Sequence, residues 1–196
     1  MISEQRFNEI SLLVEREEVA ELKEAVRGAD PCLLVAPYFS TAYLLPIILA
    51  LSGVPVAFFH ERMSPDYCAS LRAAGVDLIC AERGSGGARA ILSEARAALG
   101  RGRLLSLVYD APHLGGWPVR FFGQAFQVSN LPLLLAGKFS LNVQALALSR
   151  RKDDYLALSV GPFIRAKCEE EQRMFQERAY PILFRFLEDL VRVLPH

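Results

Sequence analysis

Lysine and histidine are scarce in this chain, and its cysteines never pair. Lys23, Lys138, Lys152 and Lys167 are the only lysines, so the 22 basic residues are mostly arginine, and 22 acidic residues balance them to zero formal charge. No global field then favours nucleic acid or an anionic membrane surface, and no nucleic-acid partner is expected. The histidines are His60, His113 and His196, while Cys32, Cys68, Cys80 and Cys168 form no C-x-x-C pair. A zinc site needs clustered ligands, so no metal is expected. The cysteines read as buried free thiols of a reducing compartment, which points to the cytoplasm. The charged, periodic N-terminus has none of the marks of a signal peptide. Charge itself is missing between Asp30 and Glu61, where His60 is the sole titratable basic group. Such a stretch is long enough to span a bilayer. Pro37, Pro46, Gly53 and Pro55 instead divide it into strand, helix and strand lengths, so a buried β-α-β unit is expected and no transmembrane segment.

What is present suits one α/β domain. At 196 residues and 52% hydrophobic, the chain can fill a sizeable core. Residues 3–26 read as an amphipathic helix ended by Arg27-Gly28. Leu33 to Ala36 is a buried strand. Ser40 or Thr41 caps a helix running to Leu51, and Pro55 to Phe59 is the next strand. Ser64-Pro65-Asp66 is a strong helix start, with a cap followed by proline at the first position. Val76 to Ala81 is a strand, Gly84 to Gly87 a loop, and Ala88 to Leu99 a helix. Leu104 to Val108 is an apolar strand, Pro118 to Phe122 a short strand-like piece followed by a helical stretch, and Val143 to Leu148 another buried strand. A charged turn joins this last strand to Tyr155–Val160, which must therefore run antiparallel to it. The tail from Lys167 is helical, with Pro181 expected to kink or restart it. The alternation predicts a single domain over 1–196: an N-terminal helix (1–30), a core with a mostly parallel sheet flanked by helices (31–165), and a helical tail (166–196).

Open α/β sheets bind ligands beyond the carboxyl ends of their strands, which brings the segment after Val108 forward. Asp110 and His113 follow that strand, then come Gly115-Gly116, Val119-Arg120-Phe121-Phe122-Gly123 and a Leu/Ala-rich helix from Leu131 to Ala136. This order resembles the core of the late lipid A acyltransferases, the lauroyl/myristoyl branch of the lysophospholipid acyltransferase superfamily, over about Pro31 to Pro162. The resemblance implies an acyltransferase-like sheet. It also implies an acyl group drawn from a carrier-protein phosphopantetheine or CoA thioester as co-substrate, with no resident cofactor.

The family's catalytic pair, a histidine and an acidic residue five positions on, is absent. Gly53-Val54-Pro55-Val56 resembles the segment that follows the motif helix and sets the register, which puts Tyr38 and Tyr43 at the pair's positions. No His, Asp or Glu occurs from Pro31 to Phe59. Tyrosine, with a pKa near 10, is a poor base at neutral pH, and general base catalysis is worth about 10²–10⁴-fold. His60, at the end of a strand with Asp66 near in sequence, and His113, three residues after Asp110, are the candidate substitute bases, and Asp110 is itself a candidate catalytic residue as the carboxylate that would pair with such a base. Arg62 and Arg120 are candidate phosphate or thioester contacts, ahead of Arg83, Arg150 and Arg151. Trp117 and Phe122 are candidates to line an acyl channel, or else belong to the core. Gly84-Ser85-Gly86-Gly87 lacks the spacing and lysine of a phosphate loop.

Three readings follow: an acyltransferase with His60 or His113 as base; a non-catalytic relative whose groove binds a lipid, a carrier protein or a partner enzyme; and an unrelated α/β protein such as a nucleotide binder. On the first two, the expected partners are an acyl carrier protein or partner enzyme and an acyl lipid, in the cytoplasm or peripheral to the inner face of the membrane.

Overall fold

A computed structural model describes residues 16–27, 31–38, 41–60, 63–80, 87–151, 155–167 and 170–193. Arg62, Arg83, Cys168 and most of the Gly84–Gly87 loop lie outside them, as do residues 1–15 of the expected first helix.

Six strands form the main sheet: β1 (Cys32–Ala36), β2 (Val56–His60), β3 (Asp77–Cys80), β4 (Leu104–Val108), β7 (Asn142–Arg150) and β8 (Leu156–Ile164), in the order β3-β2-β4-β1-β7-β8. Every pairing is parallel except β7 with β8 at one edge, so the sheet is the mixed, mostly parallel one expected. The five residues of β1 are all buried, as continuous apolar runs in a doubly covered sheet must be. Beside the sheet stands a two-stranded antiparallel hairpin, β5 (Pro112–Phe121) with β6 (Gln124–Val128).

The strand order dictates how helices cover the two faces. From β1 the chain steps outward to β2 and β3 through α2 (Leu45–Leu51) and α3 (Pro65–Ala73), and these pack on one face with α1 (Arg16–Arg27) over Leu34, Val56, Phe58 and Leu146. It then steps back to β4 through α4 (Gly87–Gly100) and on to β7 through the hairpin and α5 (Leu131–Lys138). These cover the opposite face, with α6 (Gln172–Val193), over Leu33, Val35, Leu105 and Val143. Alternate residues of each strand thus feed two separate cores, as the period of two requires.

Local chemistry fixes the ends. Ser64 Oγ accepts the Tyr67 N–H at 3.3 Å with Pro65 at the first position, the expected cap. Thr41 makes no such cap; a 3₁₀ turn at Ala42–Leu44 leads into α2 instead, and the Thr41 hydroxyl donates to the Leu148 carbonyl. α6 runs through Pro181 without a break. Interior proline costs about 3 kcal/mol, but Phe175, Ala179, Tyr180, Leu183, Phe184 and Leu187 on this helix are all buried, and packing of an apolar face supplies most helical stability.

Gly161 of β8 makes room for α6. A Cβ there would lie 2.6 Å from the Phe186 ring. Gly161→Ala is therefore expected to cost about 1–3 kcal/mol, the usual penalty for overpacking. A denaturant midpoint equal to that of the unaltered chain would show that the ring moves aside freely.

Candidate functional site at the carboxyl edge of the sheet

β4 is the strand at which the winding reverses. Its neighbours β1 and β2 send their connections over one face of the sheet, and β4 sends its own over the other. A crevice opens at the carboxyl ends of such strands. The register aligns those ends: Ala36 of β1 pairs with Val108 of β4, and two residues beyond the Phe58–Ser106 pairing His60 comes level with Val108. A cavity of about 300 Å³ occupies this crevice. Phe58, Phe59 and Leu107 form its floor. Tyr38, Tyr43, His60 and Met63 come from the β1 and β2 side, and Ala111, Pro112, His113, Ser129, Leu131 and Pro132 from the other.

Four of the expected catalytic positions therefore line one cavity. Tyr43 donates its hydroxyl to the hydroxyl of Tyr38, and the two rings meet edge to face at 5.4 Å. Burial pushes the Tyr43 hydroxyl up to about 12, and the hydrogen bond to Tyr38 and that residue's charge add to the rise. At neutral pH it is a donor and not a base. Tyr38 is 56% exposed, and its hydroxyl, which accepts from Tyr43, keeps its own proton to donate.

Asp110, the fifth position, stands just outside the lining. Its Oδ1 accepts the Tyr38 N–H at 2.7 Å, while the Tyr109 N–H donates to Ala36 at 3.1 Å. These two bonds tie the exit of β4 to the exit of β1. Burial raises the Asp110 carboxyl to about 6, against the opposing pull of the N–H groups of Tyr38 and of Asp110 itself. Asp110 thus holds Tyr38 through its backbone and leaves the side chain to face the cavity.

Tyr67 belongs to the same cluster and was not expected. It sits one turn into α3, its hydroxyl donates to the Tyr43 carbonyl, and its ring meets Tyr43 at 5.8 Å. Its position gave the clue, because the amino end of the helix after β2 must return to the carboxyl edge. On the opposite wall the amino end of α5 offers little to an anion. Pro132 has no N–H, and the Leu131 N–H is donated to Ser129 Oγ at 3.3 Å.

The remaining expected contacts lie elsewhere. Arg120 and Trp117 line a different groove, between the hairpin and α6, and Arg120 does not join Asp110 at the sheet edge. The intervening residues are an extended strand, which carries Arg120 away at about 3.3 Å per residue. Phe122 is part of the hairpin turn, where Phe122 (φ 47°) and Gly123 (φ 79°) both take left-handed conformations. Such a turn suits tight hairpins but disfavours phenylalanine. The Phe122 N–H donates to Glu188 Oε1 at 2.6 Å, and the Arg192 guanidinium lies 5.3 Å from its ring centre, contacts that offset the strain.

Among the described residues no three of His, Cys, Asp and Glu converge on a point that would hold a metal ion, and no helix is long and apolar enough to cross a membrane. Compared with models of known protein families the chain matches none, and no curated protein matches it.

Proposed function

We propose that the chain is an acyltransferase-like protein whose carboxyl-edge cavity binds the acyl group of a carrier-protein or CoA thioester. The single observation that carries this reading is the meeting of Tyr38 and Tyr43. Two residues five apart, at the positions where the resembled family keeps its histidine and acid, touch through their hydroxyls inside an apolar cavity. The turn after β1 reaches the carboxyl edge in any such sheet; what supports the reading is that the two positions paired by the resemblance are the two whose hydroxyls meet there. With a phenol held protonated in place of a base, the pair supplies hydrogen bonds to a carbonyl oxygen and does not abstract a proton. Binding, with an acyl carrier protein or partner enzyme as donor, is the form of the function that this chemistry favours. The work would be done in the cytoplasm or against the inner face of the membrane.

One observation supports turnover as a second reading: His60 and His113 both line the cavity, so a base is within the same walls as the phenols.

Titration with a fluorescent fatty acid and with acyl-CoA tests both. The unaltered chain should bind saturably, and Ala111→Phe, which fills the cavity from a partly exposed wall position, should weaken binding by about tenfold or more. Met63→Trp should do the same from the other side. Equal affinity in all three proteins, or no binding at all, removes the acyl reading. If thioester is consumed, the loss should stop in His60→Ala or His113→Ala; turnover that persists in both removes the substitute base.

A further inference from the structure

The groove that took Arg120 and Trp117 away from the sheet edge is itself built like a binding site. It is an open cavity of about 970 Å³ between the hairpin and α6. Trp117 is half-buried and stacks on the buried Tyr180 at 5.9 Å with the ring planes 17° apart, so of the aromatic side chains in the lining it is the one that solvent reaches. Three guanidinium groups, Arg120, Arg173 and Arg185, stand around it with two carboxylates, Glu177 and Glu188. Arg173 bonds Glu177 at 2.9 Å, and Arg192 is shared between Asp189 at 2.7 Å and Glu188 at 3.3 Å. Arg120 and Arg185 have no carboxylate partner among the described residues. The closest polar contact of Arg120 is a long one, to the Gly123 carbonyl at 3.5 Å. Four guanidinium groups (Arg120, Arg173, Arg185, Arg192) thus meet three carboxylates (Glu177, Glu188, Asp189), which leaves the groove and its rim one positive charge in excess, beside Trp117.

We propose that this groove is a second ligand site, one that takes a small phosphate ester carrying a planar ring. Guanidinium forks match phosphate oxygens in pairs, and each such charge-assisted bond is about twice as strong as a neutral one. The indole of Trp117 accepts a planar ring whatever its substituents, so shape and charge together select a ring-bearing phosphate over a fatty acid or a simple sugar. The site is separate from the acyl cavity and does not depend on what that cavity holds. The two nevertheless adjoin: Tyr180, in the groove wall, donates its hydroxyl at 2.7 Å to the carbonyl of Ser129, which lines the cavity.

The chain's only tryptophan is Trp117, so its emission reports on this groove alone. ADP should change that emission saturably, with the heat of binding measured in parallel, and inorganic phosphate should compete with it. Arg120→Ala combined with Arg185→Ala should weaken ADP by about tenfold or more, and because both side chains are exposed the melting curve should stay in place. Arg120→Lys with Arg185→Lys should recover only part of the affinity, since the point charge returns without the fork. Silence toward both ADP and phosphate at millimolar concentration overturns the proposal. So does an ADP response that survives loss of both arginines, or adenosine competing as well as ADP where phosphate does not. The fluorescent fatty-acid titration, read on the same samples, shows separately whether the acyl cavity is intact.

Discussion

Gly116→Ala is expected to destabilise the protein by about 3 kcal/mol, the upper end of what overpacking usually costs. A Cβ at this position would lie 2.0 Å from the Val128 carbonyl oxygen and 2.9 Å from that of His113, both backbone atoms that cannot rotate away. The reason for the close approach is a fault in the hairpin ladder. Pro112 and Trp117 both pair with Val128, so β5 bulges between them and Gly116 lies flat against the opposite chain. That bulge separates two cavities. Pro112 and His113 on one side line the carboxyl-edge cavity, and Trp117 on the other lines the groove against α6. The melting temperature should fall by about 2–4 °C for each kcal/mol lost, and both the fatty-acid and the ADP titrations should weaken together. Gly115→Ala provides the contrast. There nothing lies within 4 Å and only the φ of 75° resists a side chain, so about 1–2 kcal/mol is expected. An alanine at 116 that melts with the unaltered chain would mean that the bulge does not constrain the hairpin.

That bulge also marks where the sequence stopped being legible. The parallel strands were readable because strands buried on both faces leave long apolar runs, as Leu33 to Ala36 and Leu104 to Val108 do. The β7–β8 edge was readable because a short charged turn leaves two strands no other arrangement. The hairpin was not. Its turn residues are Phe122-Gly123, and the usual signal is Asn-Gly or Asp-Gly, so in sequence the strand over Gln124–Val128 reads as the start of a helix. The error propagated to function. With β6 missing, Arg120 had nowhere to go but the sheet edge, whereas a full hairpin takes it to α6. His60 and His113 follow from strand ends, and Tyr38 and Tyr43 from the register that the resemblance sets at Gly53-Val54-Pro55-Val56; the four line one cavity. Tyr67 and Ser129 were missed because their roles depend on where a helix begins to pack, which periodicity does not encode.

Asp110→Asn should make the protein more stable above neutrality, and the gain should vanish in acid. Burial raises the Asp110 carboxyl from 3.8 to about 6, so the folded state holds a proton more tightly than the unfolded chain does. A group of that kind stabilises the fold fully below about pH 4, and the contribution is lost as pH rises through about 6, where the charge has to be carried in a largely dry position. Fully expressed, the difference is roughly 3 kcal/mol; solvent reaching the half-buried carboxylate trims it to about 1–2 kcal/mol. The neutral amide escapes that cost. Its melting temperature should exceed that of the unaltered chain from pH 8 down to about pH 6, converge with it between pH 6 and pH 4 and match it below about pH 4. The amide oxygen can still accept the Tyr38 N–H, so fatty-acid binding should survive in Asp110→Asn and weaken in Asp110→Ala, where the exit of β1 loses its tie to β4. An asparagine variant less stable at every pH would mean that the carboxylate is held by charge and not merely tolerated, and the account of the edge would fail with it. The cost is the informative part. A carboxylate that lowers stability at neutral pH, while clamping the backbone of the more exposed of the two phenols that line the cavity, is what a site shaped by function rather than by folding should contain.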